Sequence, residues 1–147
     1  MGFNLAILIS GRGSNMLNIV EACNNKTLSS KVKIVISNNK NSSVLTKVEK
    51  KGIKTKIIHE NQINKFEKKL SQTLHEEKIN FVCLAGFMRI LSKGFLCNWE
   101  KKIINIHPSI LPAFKGLNAV KKALEKKVKY TGCTIHYVDK GVDTGEI

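Results

Sequence analysis

Short apolar runs alternate along this chain with longer segments whose apolar residues recur every three or four positions. The first pattern is typical of buried strands, and the second is typical of helices packed on one face. The pattern predicts strands at residues 4–9, 31–37, 54–58, 81–85, 102–106 and 131–138. It predicts helices at residues 16–23, 44–51, 61–78, 92–99 and 117–127.

This alternation, at steps of roughly 25 residues, favours an α/β fold with a doubly wound, mostly parallel sheet and helices on both faces. Residues 1–147 show no linker, internal repeat or low-complexity segment, so we expect them to form a single domain. Ligands of such sheets bind outside the carboxyl ends of the strands. The loops that follow strands are therefore expected to border one crevice.

The last predicted helix and strand show how the pattern assigns packing faces. The residues predicted to point inward from the helix are Ala119, Val120, Ala123 and Leu124. The strand at 131–138 alternates apolar and polar residues, which predicts that it is partly exposed. Its phase predicts that His136 lies on the exposed face.

The formal net charge of +14 raises the prior for a nucleic-acid partner, because basic domains attract phosphate. However, of the 25 basic residues two are arginines and the other 23 are lysines spread over nearly every predicted helix. Arginine, which suits bidentate phosphate contacts, occurs only at Arg12 and Arg89, each in a loop after a predicted strand. We therefore expect small-molecule partners and no specific nucleic-acid site. We also expect the two arginines to serve where lysine cannot.

Several bulk features bear on the cellular compartment. No apolar run approaches the roughly 20 residues of a membrane span, and the N-terminus lacks a basic region before an apolar stretch. A soluble, cytoplasmic protein without membrane partners is expected, with the choice between monomer and homodimer left open. The four cysteines lack metal-ligand spacing and three lie in apolar segments, which predicts reduced, mostly buried thiols.

Residues 10–15, Ser-Gly-Arg-Gly-Ser-Asn, join the first strand to the first helix. Gly11 and Gly13 permit a tight turn, and the helix N-terminus directs free amides at an anion. The Gly-Lys-Ser/Thr ending of a P-loop is absent, and so are the third glycine and the acidic residue of a dinucleotide fingerprint. A small phosphomonoester is the predicted ligand. The alternative is a plain glycine turn with a capped helix.

Both prolines of the chain, Pro108 and Pro112, lie in the loop after the fifth strand. They stiffen the backbone beside Asn105 and His107, whose alternate spacing places both side chains on one side of an extended strand. An imidazole can act as an acid or a base near neutral pH, and an amide can stabilise an oxyanion. Asp143 is the candidate carboxylate that orients and charges this imidazole.

The only two aspartates, Asp139 and Asp143, share one loop. We assign Asp139 to a turn beside Gly141, which leaves Asp143 for the chemistry. No metal site is expected, because the remaining histidines have no partners at ligand spacing. His59 and His75 are predicted to be surface residues.

Four segments stand out when they are taken together. They are residues 10–15, residues 84–91 (Leu-Ala-Gly-Phe-Met-Arg-Ile-Leu), residues 105–112 (Asn-Ile-His-Pro-Ser-Ile-Leu-Pro) and residues 143–145 (Asp-Thr-Gly). In this order they resemble the folate-dependent phosphoribosylglycinamide formyltransferases of purine biosynthesis, and the resemblance runs from residue 3 to the last residue. Two related families are less similar. Formyltetrahydrofolate deformylase usually has histidine in place of Pro108, and methionyl-tRNA formyltransferase usually has Arg-Gly after its proline-containing loop.

The resemblance implies transfer of a formyl group from the co-substrate 10-formyltetrahydrofolate to the amine of 5-phosphoribosylglycinamide, without a metal. The residues that match the family's catalytic trio are Asn105, His107 and Asp143. Those that match its phosphate loop are Gly11, Arg12, Gly13, Ser14 and Asn15. Those that match its folate site are Met88, Arg89, Ile90, Leu91, Asn105, Val138, Asp139, Lys140, Gly141, Val142 and Asp143. A cis Leu111-Pro112 peptide is also implied.

The sequence departs from the family at three places. It ends at Ile147, whereas the family continues through further strands and a long helix, so the domain 1–147 is expected to be C-terminally incomplete. Residues 63–65 lack an arginine that family members often direct at the folate, and Asn118 stands where histidine is common. Two alternatives stay open: a formyltetrahydrofolate deformylase with the same core and, more distantly, a basic nucleic-acid-binding module.

Overall fold

The computed structural model describes residues 2–147, which fall into two compact units, one ending at Leu91 and one running from Ser92 to Ile147. Strands and helices alternate in the first unit as predicted. Its elements are β1 (Asn4–Ile9), α1 (Ser14–Asn24), β2 (Lys31–Ser37), α2 (Val44–Glu49), β3 (Lys54–Ile57), α3 (Ile63–Glu76) and β4 (Phe81–Leu84).

The strands of the first unit pair in the order β3-β2-β1-β4, and every pairing is parallel. Parallel neighbours need a crossover connection, and α1, α2 and α3 supply the three crossovers. β1 is central, with Ile7 in register with Val35 on one side and with Cys83 on the other. This position explains why β1 is almost continuously apolar, since both of its faces are covered.

Helix α3 packs through one apolar face. Phe66, Leu70 and Leu74 recur every four residues and are buried, whereas the lysines of the opposite face are exposed. The Phe66 ring stacks on Phe87 with 5.8 Å between ring centroids. Burial of each such side chain contributes roughly 1.5–3 kcal/mol, so this face fixes the helix on its unit.

The second unit contains a short antiparallel pair of strands. Its elements are α4 (Lys93–Cys97), β5 (Ile103–His107), α5 (Ala119–Glu125) and β6 (Thr134–Tyr137). β5 and β6 pair antiparallel, with Ile104 opposite Tyr137 and His107 opposite Thr134. Ser92 caps α4, because its Oγ accepts a hydrogen bond from the Phe95 N–H at 3.2 Å.

The structure confirms the predicted α/β class with mostly parallel strands, and β6 is the antiparallel exception. The bounds of β1 and β2 match the prediction, and those of the other elements differ from it by at most three residues at either end. Among the described residues, no helix combines the length and the apolar character that are needed to cross a membrane.

Two predictions about burial are wrong. Val120 and Leu124 of α5 are exposed, and only Ala119 and Ala123 of the predicted face are buried. This short helix therefore packs on the second unit through a narrow face of small side chains. The four cysteines are free, as predicted, but they are not mostly buried. Cys83 lies inside β4, whereas Cys97 ends α4 and Cys133 precedes β6, and both of these are exposed.

Candidate active site

The antiparallel pairing of β5 and β6 gathers an amide and two imidazoles. Asn105 lies opposite His136 in the register, and side chains at such positions share a face of the sheet. The Asn105 Nδ2 atom is 3.3 Å from His136 Nε2. His107, two residues further along β5, is 5% exposed, and His136 is 3% exposed. The three polar side chains therefore meet in a place that is largely shielded from water.

Asp143 lies between the two imidazoles. Its Oδ2 atom is 3.2 Å from His107 Nδ1, and its Oδ1 atom is 3.3 Å from His136 Nε2. The Gly116 N–H donates a hydrogen bond to Oδ2 at 2.8 Å. The Asp143 side chain is 11% exposed, so solvent screens its attraction to a protonated imidazole only weakly.

The hydrogen bonds of His107 determine which of its nitrogens carries a proton. Nε2 lies 2.9 Å from the Phe114 carbonyl oxygen, and a carbonyl can only accept, so Nε2 carries a hydrogen. Nδ1 faces a carboxylate oxygen, and a hydrogen bond there needs a second proton, on the ring or on the carboxyl group. His107 and Asp143 are therefore placed to hold one proton between them, and with that proton on the ring the pair is an imidazolium and a carboxylate.

The loop at residues 108–116 is fastened to β6 by a hydroxyl group. The Thr134 hydroxyl donates to the Ser109 carbonyl oxygen at 2.7 Å and accepts from the Leu111 N–H at 3.0 Å. The Leu111-Pro112 peptide is cis, as predicted. These contacts position the Phe114 carbonyl, which bonds to His107, and the Gly116 N–H, which donates to Asp143.

The prediction that His136 lies on the exposed face of the last strand is wrong. Thr134 and His136 are buried and Ile135 between them is exposed, because the inward hydroxyl and imidazole both find hydrogen-bond partners. Nothing in the alternation of residues 131–138 identifies those partners, so the sequence could not show which alternate residues of this strand face inward. His59 and His75 are exposed, as predicted. Within residues 2–147, no group of three or more His, Cys, Asp or Glu side chains is arranged to hold a metal ion.

Asp139 closes the turn that precedes Asp143. Its Oδ1 atom accepts hydrogen bonds from the Thr144 hydroxyl at 2.7 Å and from the Gly141 N–H at 3.0 Å. These bonds, and the Thr144 bond above all, lower the pKa of the Asp139 carboxyl from its ordinary value. The predicted turn role of Asp139 is confirmed. A side chain at Gly141 would collide with Thr144, so the turn needs glycine there.

A cavity of about 400 Å³ opens beside this turn in the second unit. Its lining residues are Leu96, Cys97, Glu100, Lys101, Tyr137, Val138, Asp139, Lys140, Gly145 and Glu146. Val138, Asp139 and Lys140 belong to the predicted folate-binding stretch, whereas Val142 is exposed and is not among the lining residues. The role of this stretch in folate binding stays a prediction.

In the first unit, the glycine loop lies beside the segment that follows β4. The Ser10 N–H donates to the Gly86 carbonyl oxygen at 3.1 Å, and the Ser10 hydroxyl accepts from the Met88 N–H at 2.8 Å. Met88 and Ile90 are exposed, whereas Leu91 is buried. The predicted phosphate loop and the first predicted folate segment thus share one edge of this unit.

Gly13 shapes the glycine loop as the N-cap of α1, with φ at 69°. A Cβ atom there would lie 2.9 Å from Met16 Cε and 3.2 Å from Val44 Cγ1, so both the conformation and the space require glycine. The neighbouring residues Gly11, Arg12, Ser14 and Asn15 are exposed. The first amides of α1 have no acceptor within the helix, a geometry that suits an anion. Phosphate binding stays a prediction.

Arg89 anchors the segment that leads into α3. Its guanidinium donates to the Glu60 carbonyl oxygen at 2.6 Å and to the Asn61 carbonyl oxygen at 3.3 Å. It also lies over the Phe66 ring, 4.7 Å from the centroid. A lysine cannot reproduce this planar, two-pronged contact, which agrees with the expectation drawn from the rarity of arginine. The predicted role of Arg89 toward folate stays a prediction.

The sequence and the structure of this chain are similar to those of known formyl transferases. Residues 3–147 match the formyl transferase family. The trifunctional purine biosynthetic protein adenosine-3 of Homo sapiens is 45% identical over 147 residues, which cover 97% of this chain and 14% of that protein. The glycinamide ribonucleotide transformylase 1 from Symbiobacterium toebii superposes with a TM-score of 0.93 at 35% identity, over 98% of this chain and 69% of that one.

A second solved relative agrees. The phosphoribosylglycinamide formyltransferase from Anaplasma phagocytophilum superposes with a TM-score of 0.91 at 41% identity, over 99% of this chain and 68% of that one. This chain thus spans only 14% of the human relative's length, although almost all of its own residues are matched. Because the family match covers residues 3–147, the chain belongs to the formyl transferase family.

Proposed function

We propose that this chain transfers a formyl group from 10-formyltetrahydrofolate to the amine of 5-phosphoribosylglycinamide in de novo purine biosynthesis. The observation that carries the proposal is the buried contact of His107 with Asp143, 3.2 Å between Nδ1 and Oδ2, in the same group of side chains as the amide of Asn105. The names of the similar proteins, which are purine biosynthetic proteins and glycinamide ribonucleotide formyltransferases, give the proposal its substrates.

His107 is the proposed acid. The folate supplies a formyl carbon activated by its bond to nitrogen, and negative charge builds on the formyl oxygen as the amine nitrogen bonds to that carbon. An imidazolium at His107 donates through Nε2, so the ring must shift until the Nε2 hydrogen points at the substrate oxygen and no longer at the Phe114 carbonyl. Asp143 stabilises the charged ring through Nδ1.

Asn105 is the proposed second donor to the same oxygen. An amide N–H directed at a developing oxyanion lowers the barrier, and loss of one such donor costs roughly 100- to 1000-fold in kcat. The proton that the amine loses passes through a water molecule to the folate nitrogen as the old carbon–nitrogen bond breaks. Charge and atoms therefore balance, and the His107 proton returns to the ring when the new amide forms.

The binding roles are also proposals. The phosphate of the substrate is assigned to residues 11–15 at the start of α1, and the folate to residues 88–91 and 138–143 together with Asn105. The free amides of α1, the exposed Met88 and Ile90, and the cavity beside Val138 support these assignments. We keep a metal-free reaction, a cytoplasmic location and the absence of nucleic-acid and membrane partners as predictions.

An omission experiment tests the function. The chain is incubated with 10-formyltetrahydrofolate, with and without 5-phosphoribosylglycinamide, and the folate product is followed by absorbance. We expect folate consumption only when the amine is present, its loss in His107→Ala, and its retention in His75→Ala, a matched change of an exposed histidine on α3. Formate release without the amine contradicts the proposal and favours a deformylase. Salt-sensitive DNA retention without folate turnover favours a nucleic-acid module.

A further inference from the structure

His136 occupies a position that the proposed reaction does not yet use. It is buried, it lies opposite Asn105 across the β5–β6 pair, and its Nε2 atom is 3.3 Å from both Asn105 Nδ2 and Asp143 Oδ1. Its Nδ1 atom is 2.8 Å from the Tyr137 carbonyl oxygen. Both ring nitrogens therefore have polar neighbours, as expected of a buried imidazole.

The hydrogen bonds of His136 define its tautomer. A carbonyl oxygen only accepts, so Nδ1 carries a hydrogen directed at Tyr137. Nε2 then has two possible states. In the neutral ring it is an acceptor and takes a hydrogen bond from Asn105 Nδ2. In the imidazolium Nε2 carries a hydrogen and can donate to Asp143. That hydrogen then also faces the Asn105 amide nitrogen, which is itself a donor, so the contact with Asn105 is unfavourable.

The contact with Asn105 favours the neutral state. Two carboxylates act on His136: Asp143 lies 3.3 Å from its Nε2 atom, and Asp139 acts through its charge. Asp143 also faces His107 and accepts from the Gly116 N–H, so a protonated His136 would have to share that carboxylate with His107. A hydrogen on Nε2 would also point at the hydrogens of the Asn105 amide nitrogen, whereas a bare Nε2 accepts from them.

We infer that His136 is a positioning residue: as a neutral ring protonated at Nδ1, it accepts a hydrogen bond from Asn105 and so fixes which way the amide of Asn105 points. The Asn105 amide nitrogen has two hydrogens, and with one on His136 Nε2 the other is directed at the substrate oxygen. In the flipped amide an oxygen lone pair faces the Nε2 lone pair, and the donor is turned away from the reaction. This inference rests on the proposed function of Asn105.

Two substitutions separate orientation from simple packing. His136→Gln places an amide group where Nε2 lies and keeps an acceptor for Asn105. His136→Asn reaches only as far as Nδ1, so it keeps the bond to Tyr137 and loses the acceptor. We expect His136→Asn to lower kcat at least about tenfold, within the roughly 100- to 1000-fold that a lost oxyanion donor costs. We expect His136→Gln to stay within about threefold of wild type, with KM for both substrates little changed in either variant.

A spectroscopic measurement on the unaltered chain decides the tautomer independently of activity. Nitrogen-15 NMR of histidine-labelled protein at neutral pH is expected to show His136 protonated at Nδ1 and bare at Nε2, with a coupling across the hydrogen bond to Asn105 Nδ2. A protonated Nε2 overturns the inference. So do equal losses of kcat in the two variants with wild-type melting temperatures, or no loss in either. If wild type transfers no formyl group, the proposed function fails, whereas the NMR result still reports on the His136–Asn105 bond.

Discussion

Asp143 holds one carboxylate oxygen 3.2 Å from Nδ1 of His107, at a point where both side chains are almost completely buried. The other nitrogen of that ring is hydrogen-bonded to a backbone carbonyl, so a hydrogen on Nδ1 would make the ring an imidazolium that faces the carboxylate. Breaking one side of a buried charged pair leaves the partner uncompensated. Asp143 is therefore placed to orient and to charge the proposed acid.

Replacement of Asp143 by asparagine removes the negative charge and keeps the shape. We expect Asp143→Asn to lower kcat by roughly 100-fold or more, because a neutral amide no longer stabilises the imidazolium of His107. Steady-state kinetics with both substrates measure this change. Glu125→Gln, an exposed acidic residue of α5, serves as the matched control and is expected to leave kcat unchanged. Comparable kcat in the two variants would remove Asp143 from the mechanism.

Arg89 is predicted to be a stability residue whatever its role toward folate. Arg89→Lys loses the two-pronged contact with the carbonyls of residues 60–61 and the planar contact over Phe66. We expect a decrease of about 1–2 kcal/mol in the free energy of unfolding, measured by urea denaturation. Arg12→Lys, at an exposed position, is the control and should change this free energy by less than about 0.5 kcal/mol. Equal effects of the two substitutions would refute the assignment.

The two glycines of the 10–15 loop are predicted to differ. Gly13→Ala places a Cβ atom against Met16 and Val44 at a positive φ, so we expect a loss of about 1–3 kcal/mol in the free energy of unfolding. Gly11→Ala has no neighbour within 4 Å of the new carbon and is expected to change this free energy by about 0.5 kcal/mol or less. Thermal and urea unfolding of both variants measure this difference. A larger loss of stability in Gly11→Ala than in Gly13→Ala would contradict the prediction.

The buried thiol of Cys83 is predicted to make the free energy of unfolding fall at alkaline pH. Burial raises the pKa of its thiol to about 11, with a smaller contribution from Cys23. The folded chain therefore keeps a proton that the unfolded chain releases near pH 9, so stability is intact below that pH and declines as the pH rises toward 11. Unfolding free energies between these values are expected to fall more steeply in wild type than in Cys83→Ala. Parallel slopes in the two proteins would contradict this linkage.

Thiol labelling gives a separate test of cysteine burial. A thiol-specific reagent at pH 8 should modify Cys97 and Cys133 quickly, since both are exposed, and Cys83 only after unfolding. Mass spectrometry of the labelled peptides locates the modified residues. Rapid labelling of Cys83 in the folded chain would show that β4 is not covered as described.

The sequence predicts β1 and β4 well because their side chains are buried on both faces. Each is a nearly continuous apolar run, so neither packing partners nor register needs to be known. The last strand is harder, because Thr134 and His136 are buried only through partners that lie elsewhere in the chain. A period of two gives the alternation of a strand but leaves open which face is covered.

The candidate site shows the same division. Asn105, His107 and Asp143 can be selected from residue type, spacing and family resemblance, and the structure brings them together with His136. The carbonyl of Phe114 and the amide of Gly116 could not be selected, because backbone groups have no residue-type signal. Leu124, in turn, shows that an apolar stripe at helical spacing does not guarantee burial, since this residue is 73% exposed.

The fate of the formyl carbon tests the central proposal most directly. The chain is supplied with 10-formyltetrahydrofolate labelled with carbon-13 in the formyl group, together with 5-phosphoribosylglycinamide, and the product is analysed by NMR. We predict that the label moves to the amide of the acceptor with one tetrahydrofolate formed for each label transferred, and that no transfer occurs with Asp143→Asn. Label recovered as free formate, or left on the folate while wild type is folded, would contradict the account.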